Sequence, residues 1–377
     1  MAVLSAIVTP AAAIADTPRF GEGLGLSATL RPTLFDTDYP GHPRGVARGH
    51  AGTIGTLTLR WVHDEHVAIE AGVLGRLPFA VDFEDEVGAF PLLAVVITPF
   101  GDALTMRFGS LDTKHGFHPA VVDEPRYGYA RNYEELYNRS IPADVARDLG
   151  GDPFLPVENG AQIIAELEPL RAEVFLDWQL LETDVHREKF AVGVLGSYEG
   201  KWLDAGFQYR LVHYGGQLFT QKEEVRRLGL DPKRQPTTLA LYVTPKPLAF
   251  LEGVDVELPV TFIQGRVNQN PSEPESSHRG LEVGADVILF DALTLGWRGW
   301  FPADGEARYV SEDGDEIYAG PRSHRARIAL TSRYGLVELS GLLDLVFADG
   351  ADKVWYRTVT VVTFRWDTPL FVDAPLP

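Results

Sequence analysis

Apolar and polar residues alternate one by one along most of this chain from Leu24 onwards. Such alternation marks strands with two unlike faces, because successive side chains point to opposite sides of a pleated backbone. In the run Trp202 to His213, Leu203, Ala205, Phe207, Tyr209 and Leu211 share one face. Asp204, Gly206, Gln208 and Arg210 share the other. Leu281, Val283, Ala285, Val287 and Leu289 form a second apolar row against Gly280, Glu282, Gly284 and Asp286. Ala326, Ile328, Leu330 and Tyr334 likewise oppose Arg325, Arg327, Thr331 and Arg333.

About sixteen segments carry this pattern, each near the roughly ten residues of a tilted membrane strand. They are 24–35, 51–62, 67–80, 91–99, 103–111, 161–168, 173–182, 189–198, 202–214, 237–245, 254–264, 279–289, 292–301, 324–333, 336–347 and 354–366. Their connections alternate in length. Short turns such as His63–His66, Pro99–Asp102, Glu199–Lys201 and Tyr334–Gly335 are interleaved with long loops such as Asp36–His50, Thr113–Gly160, Gly215–Pro236 and Pro302–Ser323. Short turns on one side and long loops on the other are the mark of an outer-membrane barrel. An even strand count then puts both termini on the short-turn side. The expected fold is all-β: one transmembrane, antiparallel, up-and-down barrel of about sixteen strands (range about 14–18), occupying residues 16–377. A soluble β-sandwich also alternates, but its loop lengths need not differ by side.

Composition narrows the partners. A net charge of −19 argues against nucleic acid, which demands a basic footprint. With no cysteine there is neither a disulfide framework nor a thiolate metal site. Residues 1–15 read as a signal-peptide remnant, a short apolar stretch ending in a small-x-small site at Ala13–Ala15.

With this architecture the chain resembles the bacterial outer-membrane porins of the general, sixteen-strand type. The resemblance rests on strand number, loop alternation and aromatics near strand ends, among them Trp61, Trp202, Trp297, Trp300, Trp355 and Trp366. It departs at the C-terminus, where DTPLFVDAPLP follows the aromatic-ended strand. It implies a home in the outer-membrane bilayer, a homotrimer, and a third long loop, Thr113–Gly160, that folds inward as the constriction. The residues of that constriction would be Asp123, Glu124, Arg126, Tyr127, Tyr129, Arg131, Tyr133, Glu134 and Glu135.

The alternation also assigns the lumen face. Arg60, Arg76, Arg107, Arg298, Arg325, Arg327, Arg333, Arg357 and Arg365 point inward on strands that closure brings side by side. Glu166, Asp177, Asp204, Glu257, Glu282 and Asp286 point inward on the remaining strands, while Glu70, Glu338, Asp344 and Arg210 break the segregation. A basic wall facing an acidic wall would filter polar solutes by charge, as charged rings do in channels. Such a channel passes small polar or oligomeric solutes, oligosaccharides included, by diffusion. An exopolysaccharide-export barrel and a soluble secreted glycan-binding protein are the alternatives. His115 and His118 lack a third ligand partner, so no metal site is expected, nor any cofactor. His186, His213, His278 and His324 lie near extracellular strand ends without a nucleophile signature, so no enzymatic activity is expected.

Overall fold

The computed structural model describes residues 23–40, 46–64, 66–78, 88–111, 115–123, 157–180, 188–215, 235–246, 253–268, 276–303, 311 and 314–372. The expected signal remnant 1–15 lies outside them.

Sixteen strands close into one antiparallel barrel. In chain order they are β1 (Gly23–Tyr39), β2 (Val46–Asp64), β3 (Val67–Pro78), β4 (Gly88–Ile97, extended by Pro99–Asp102), β5 (Leu104–Ser110), β6 (Asn159–Leu167), β7 (Leu170–Leu180) and β8 (Glu188–Glu199). The second half comprises β9 (Leu203–Gly215), β10 (Gln235–Pro245), β11 (Val254–Glu257 and Val260–Asn268), β12 (Ser276–Leu289), β13 (Leu293–Pro302), β14 (Ser323–Tyr334), β15 (Val337–Ala348) and β16 (Trp355–Val372). Each pairs with its sequence neighbours. β1 closes on β16 in a register that sets Ala28 opposite Trp366 and Asp38 opposite Tyr356. Closure leaves no open edge, which lets strands cross hydrocarbon with every backbone group paired.

The last strand is longer than the alternation suggested. It runs six residues past Trp366, and Thr368 and Phe371 pair with Leu26 and Leu24. The first six residues of the tail that departs from the porin pattern, Asp367 to Val372, are therefore part of the closing seam. The N-terminal partner supplies its backbone hydrogen bonds, a long-range contact that period-2 reading cannot register.

Burial is inverted relative to a soluble protein. On β14 Ile328 is 48% exposed, whereas its neighbour Arg327 is 7% exposed. Leu34, Leu57, Leu93, Leu241 and Leu345 line the same outward face around the barrel. An exposed apolar band on a closed sheet fits a lipid surround. The barrel is an outer-membrane one. No helix among the described residues is long and apolar enough to cross a membrane.

At the stem of the longest loop, Gly109 and Gly160 face each other on β5 and β6. Gly109 takes φ 104, and a Cβ there would sit 2.1 Å from the Leu93 carbonyl oxygen. Only glycine adopts that backbone at no steric cost, so the stem departs from regular strand geometry where the chain leaves the wall.

Candidate functional site

The chain after β5 turns into the barrel. Residues 115–123 lie within the lumen, with His115, Phe117, His118, Ala120, Val121, Val122 and Asp123 all buried. A second inward segment, between β13 and β14, contains a 3-10 turn at Glu316–Ala319. The two meet directly: the Asp315 amide donates to the Pro119 carbonyl at 2.7 Å, and the Ser311 hydroxyl donates to the Val121 carbonyl at 2.5 Å. Phe117, Val121, Ile317 and Tyr318 pack with the wall residues Phe175, Leu195, Ile263, Trp300 and Trp355 in one apolar cluster. The extracellular half of the lumen thus holds a small hydrophobic core of its own.

Polar contacts fix the inward segment to several strands. His115 Nε2 lies 2.6 Å from Glu158 Oε2, its Nδ1 meets Glu173 on β7, and its ring stacks on Phe175 at 3.9 Å. Burial favours the neutral imidazole, but the flanking Glu158 and Glu173 carboxylates outweigh it and raise the His115 pKa to about 10. Gln208 on β9 accepts from the His118 amide at 2.6 Å and donates to the Gly116 carbonyl at 3.1 Å. The Ala120 amide donates to His118 Nδ1, leaving Nε2–H to point at Glu282 of β12, 3.3 Å away. Asp123 is held by Arg357 of β16, which also reaches Asp315 at 2.5 Å.

The arginines expected as a wall do point inward, but carboxylates stand between them. Arg298 grips Asp286 with both terminal nitrogens, one at 2.6 Å. Arg325 meets Glu282 and donates to the Tyr318 hydroxyl at 2.7 Å. Arg327 is bidentate on Asp344, at 2.8 and 2.9 Å. Arg60 and Arg107 share Glu70. Glu70 and Asp344, the exceptions to the expected segregation, are the counterions that make those arginines tolerable. Glu282 and Asp286 sit on β12, one and two strands from their arginines on β13 and β14. The geometry is therefore one of neighbouring ion pairs rather than two walls facing across a gap. Burying unpaired guanidinium groups is too costly for any other arrangement in a filled region.

The remaining expected lumen residues are spread along the barrel. Asp177 accepts from the Asn159 amide and from Gln179, and Glu166 lies 3.5 Å from Arg171. Asp204, at the periplasmic end of β9, binds Lys246 at 2.6 Å. Arg333 is exposed at the periplasmic end of β14, opposite Glu338. Arg76 lies on β3, its side chain outside the described residues. Glu124, Arg126, Tyr127, Tyr129, Arg131, Tyr133, Glu134 and Glu135 also fall outside them; of the expected constriction only Asp123 is described. Sequence reading missed the anchoring roles of His115, His118, Glu158, Glu173, Gln208 and Tyr318. The inward phase of Glu173 and Gln208 was readable, but their loop partners were not.

The outward rim carries a different arrangement. His213, at the extracellular end of β9, stacks on Phe190 of β8 at 4.6 Å, and Phe190 in turn meets Trp178 of β7. Its Nδ1 lies 2.8 Å from Gln235 Nε2 and its Nε2 3.9 Å from Glu188 Oε1. A histidine with a carboxylate on the lipid-facing rim is half of what acyl transfer requires.

Comparison with known proteins bears on both regions. Residues 49–229, just under half of the chain, match the family model described as Lipid A 3'-O-deacylase-type. None of the curated proteins matches. Among solved structures, OccK2 (OpdF) of Pseudomonas aeruginosa, determined in complex with glucuronate, aligns over 92% of this chain and 100% of its own, at 11% identity and TM-score 0.50. The trimer form of OmpT, an outer membrane protein of Vibrio cholerae, aligns over 92% and 100% at 10% identity and TM-score 0.49. A mutant porin of Rh. blastica aligns over 91% and 100% at 12% identity and TM-score 0.46. The likeness to OccK2 shows the fold: this chain is an outer-membrane β-barrel of porin architecture. The expectation of a chain without enzymatic activity is corrected by the deacylase-type match, which points to catalysis. A catalytic site assembled from several strands would leave no contiguous nucleophile signature in a sequence.

Proposed function

We propose that the chain is an outer-membrane channel for small polar solutes, oligosaccharides among them, narrowed from the extracellular side by residues 115–123. The observation that carries this reading is the anchoring of that segment to Glu173, Gln208, Glu282 and Arg357, on four strands spread around the wall. A loop bound so widely sets the free cross-section, and the charged pairs beside it set the preference for polar cargo. Single-channel conductance in planar bilayers tests it. Arg357→Ala frees Asp123 and should raise the conductance at least twofold, whereas an unchanged current removes the segment from the conduction path. A homotrimer belongs to the same reading: chemical cross-linking that stops at three copies supports it, and monomer alone removes it.

A second reading has its own observation. The deacylase-type match spans β8 and β9, the strands that place Glu188 and His213 together on the rim. In this reading His213 acts as general base, with Glu188 orienting it, on an acyl ester of an outer-leaflet lipid. No hydrogen bond among the described residues joins a serine or threonine hydroxyl to His213, so in this reading His213 takes a proton from water, which attacks the ester carbonyl and releases a free fatty acid and a lipid hydroxyl. Release of fatty acid from lipid A vesicles, lost in His213→Ala with conductance unchanged, would support it. Equal release by both proteins would end it.

A further inference from the structure

At the periplasmic end of the lumen the charges are unbalanced. Asp204 starts β9, Glu199 ends β8 and Glu257 ends the first piece of β11, all on the short-turn side. Asp204 faces Glu199 across the β8–β9 ladder, and Glu257 faces Asp286 across β11–β12. The charges acting on Glu257 are Lys246, Asp286, Asp204 and Arg298. Arg298 already grips Asp286 with both of its terminal nitrogens. Arg171 also acts on Glu199, but Glu173 and Glu166 already hold it, so among the described residues Lys246 is the cation left for the three carboxylates. It contacts Asp204 Oδ2 at 2.6 Å. Asp204 is 3% exposed and Glu257 5%, yet Asp204 Oδ1 and Glu257 Oε2 have no hydrogen-bond partner among the described residues.

Two buried carboxylate oxygens without donors, beside a third acid, form an acceptor set larger than one ammonium can fill. An ammonium carries three donors and no acceptor, so it matches such a set. Lys246 shows that the position accepts one. Its side chain is 30% exposed and its backbone sits just past the end of β10, so it can leave as an incoming ligand enters. The chemistry favours an organic cation over a metal ion, since the described residues contain no cluster of three or more His, Asp or Glu placed to hold a metal.

We propose that Asp204, Glu257 and Glu199 form a binding site for solutes bearing primary ammonium groups, such as linear polyamines, with Lys246 as the built-in ligand they displace. The site lies away from residues 115–123 and does not depend on current through the barrel. Isothermal titration of the folded, detergent-solubilised barrel with spermidine tests it apart from conduction. Saturable binding that weakens with added salt is expected, because ion pairing is screened. Lys246→Met, which removes the internal competitor, should tighten binding several-fold. Asp204→Asn combined with Glu257→Gln should weaken it at least tenfold in protein that keeps heat-modifiable gel migration. Absence of saturable binding, or unchanged affinity in the double variant, overturns the proposal. If the double variant does not fold, Lys246→Met decides alone: tighter binding supports the site and equal affinity overturns it.

Discussion

The two ends of the lumen use the same residue types to opposite effect. Towards the extracellular side, Arg325, Arg327 and Arg357 each meet carboxylates, and two inward segments pack a buried apolar cluster against the wall. Towards the periplasm, Asp204, Glu199 and Glu257 share Lys246, which is partly exposed. The difference shows that charge alone does not set a lumen's character. Where loops fill the space, each charge must be matched locally, because desolvation is not repaid otherwise. Where the balancing cation, Lys246, is itself partly exposed, an excess of one sign persists and can serve binding.

The comparison breaks most directly at Arg325, which is 2% exposed. Arg325→Ala takes from buried Glu282 its nearest cation, leaving it the Tyr318 hydroxyl, His118 and the more distant Arg298, and should cost about 3–5 kcal/mol, read from urea unfolding in lipid vesicles. A loss under about 1 kcal/mol would mean that water reaches this end as freely as the other. Next comes pH. His115 has its pKa raised from 6.5 to about 10 in the folded state, so its stabilisation is complete below pH 6.5 and is lost as pH rises through about 10. The heat-modifiability midpoint should therefore fall between pH 6.5 and about 10, and His115→Phe should flatten that part of the fall; identical profiles would remove the histidine clamp. Packing gives a smaller effect. Ile263, fully buried on β11, should cost about 0.5–1.5 kcal/mol as Ile263→Val. At the periplasmic end Lys246→Ala should change stability by at most about 1 kcal/mol, since the pair is partly solvated. A cost as large as that of Arg325→Ala would erase the distinction between the ends.

Much of this was legible in advance. Fifteen strands lie within a few residues of their expected ranges, because a membrane barrel imposes a two-residue period and a length. The inward phase of Arg298, Arg325, Arg327 and Arg357 followed from the same period. Their partners did not. Grouping charges by strand number suggested two walls, whereas Arg298 pairs back to β12 and Arg327 forward to β15. Which neighbour an arginine chooses depends on stagger between strands and on side-chain reach. The third long loop, 113–160, was expected as a constriction from the porin resemblance alone; the histidine, glutamine and tyrosine anchors of 115–123 were not legible.

The sequence by itself determined the barrel, since alternation, loop asymmetry and an even strand count leave few other ways to satisfy the backbone in lipid. Only the tertiary structure decided what fills it. Tyr39 and Asp315, or Arg357 and Asp123, are brought together by closure across more than two hundred residues. No local pattern encodes such a meeting, because the energy that selects it comes from desolvated charges and apolar rings that exist as neighbours only once the barrel has closed.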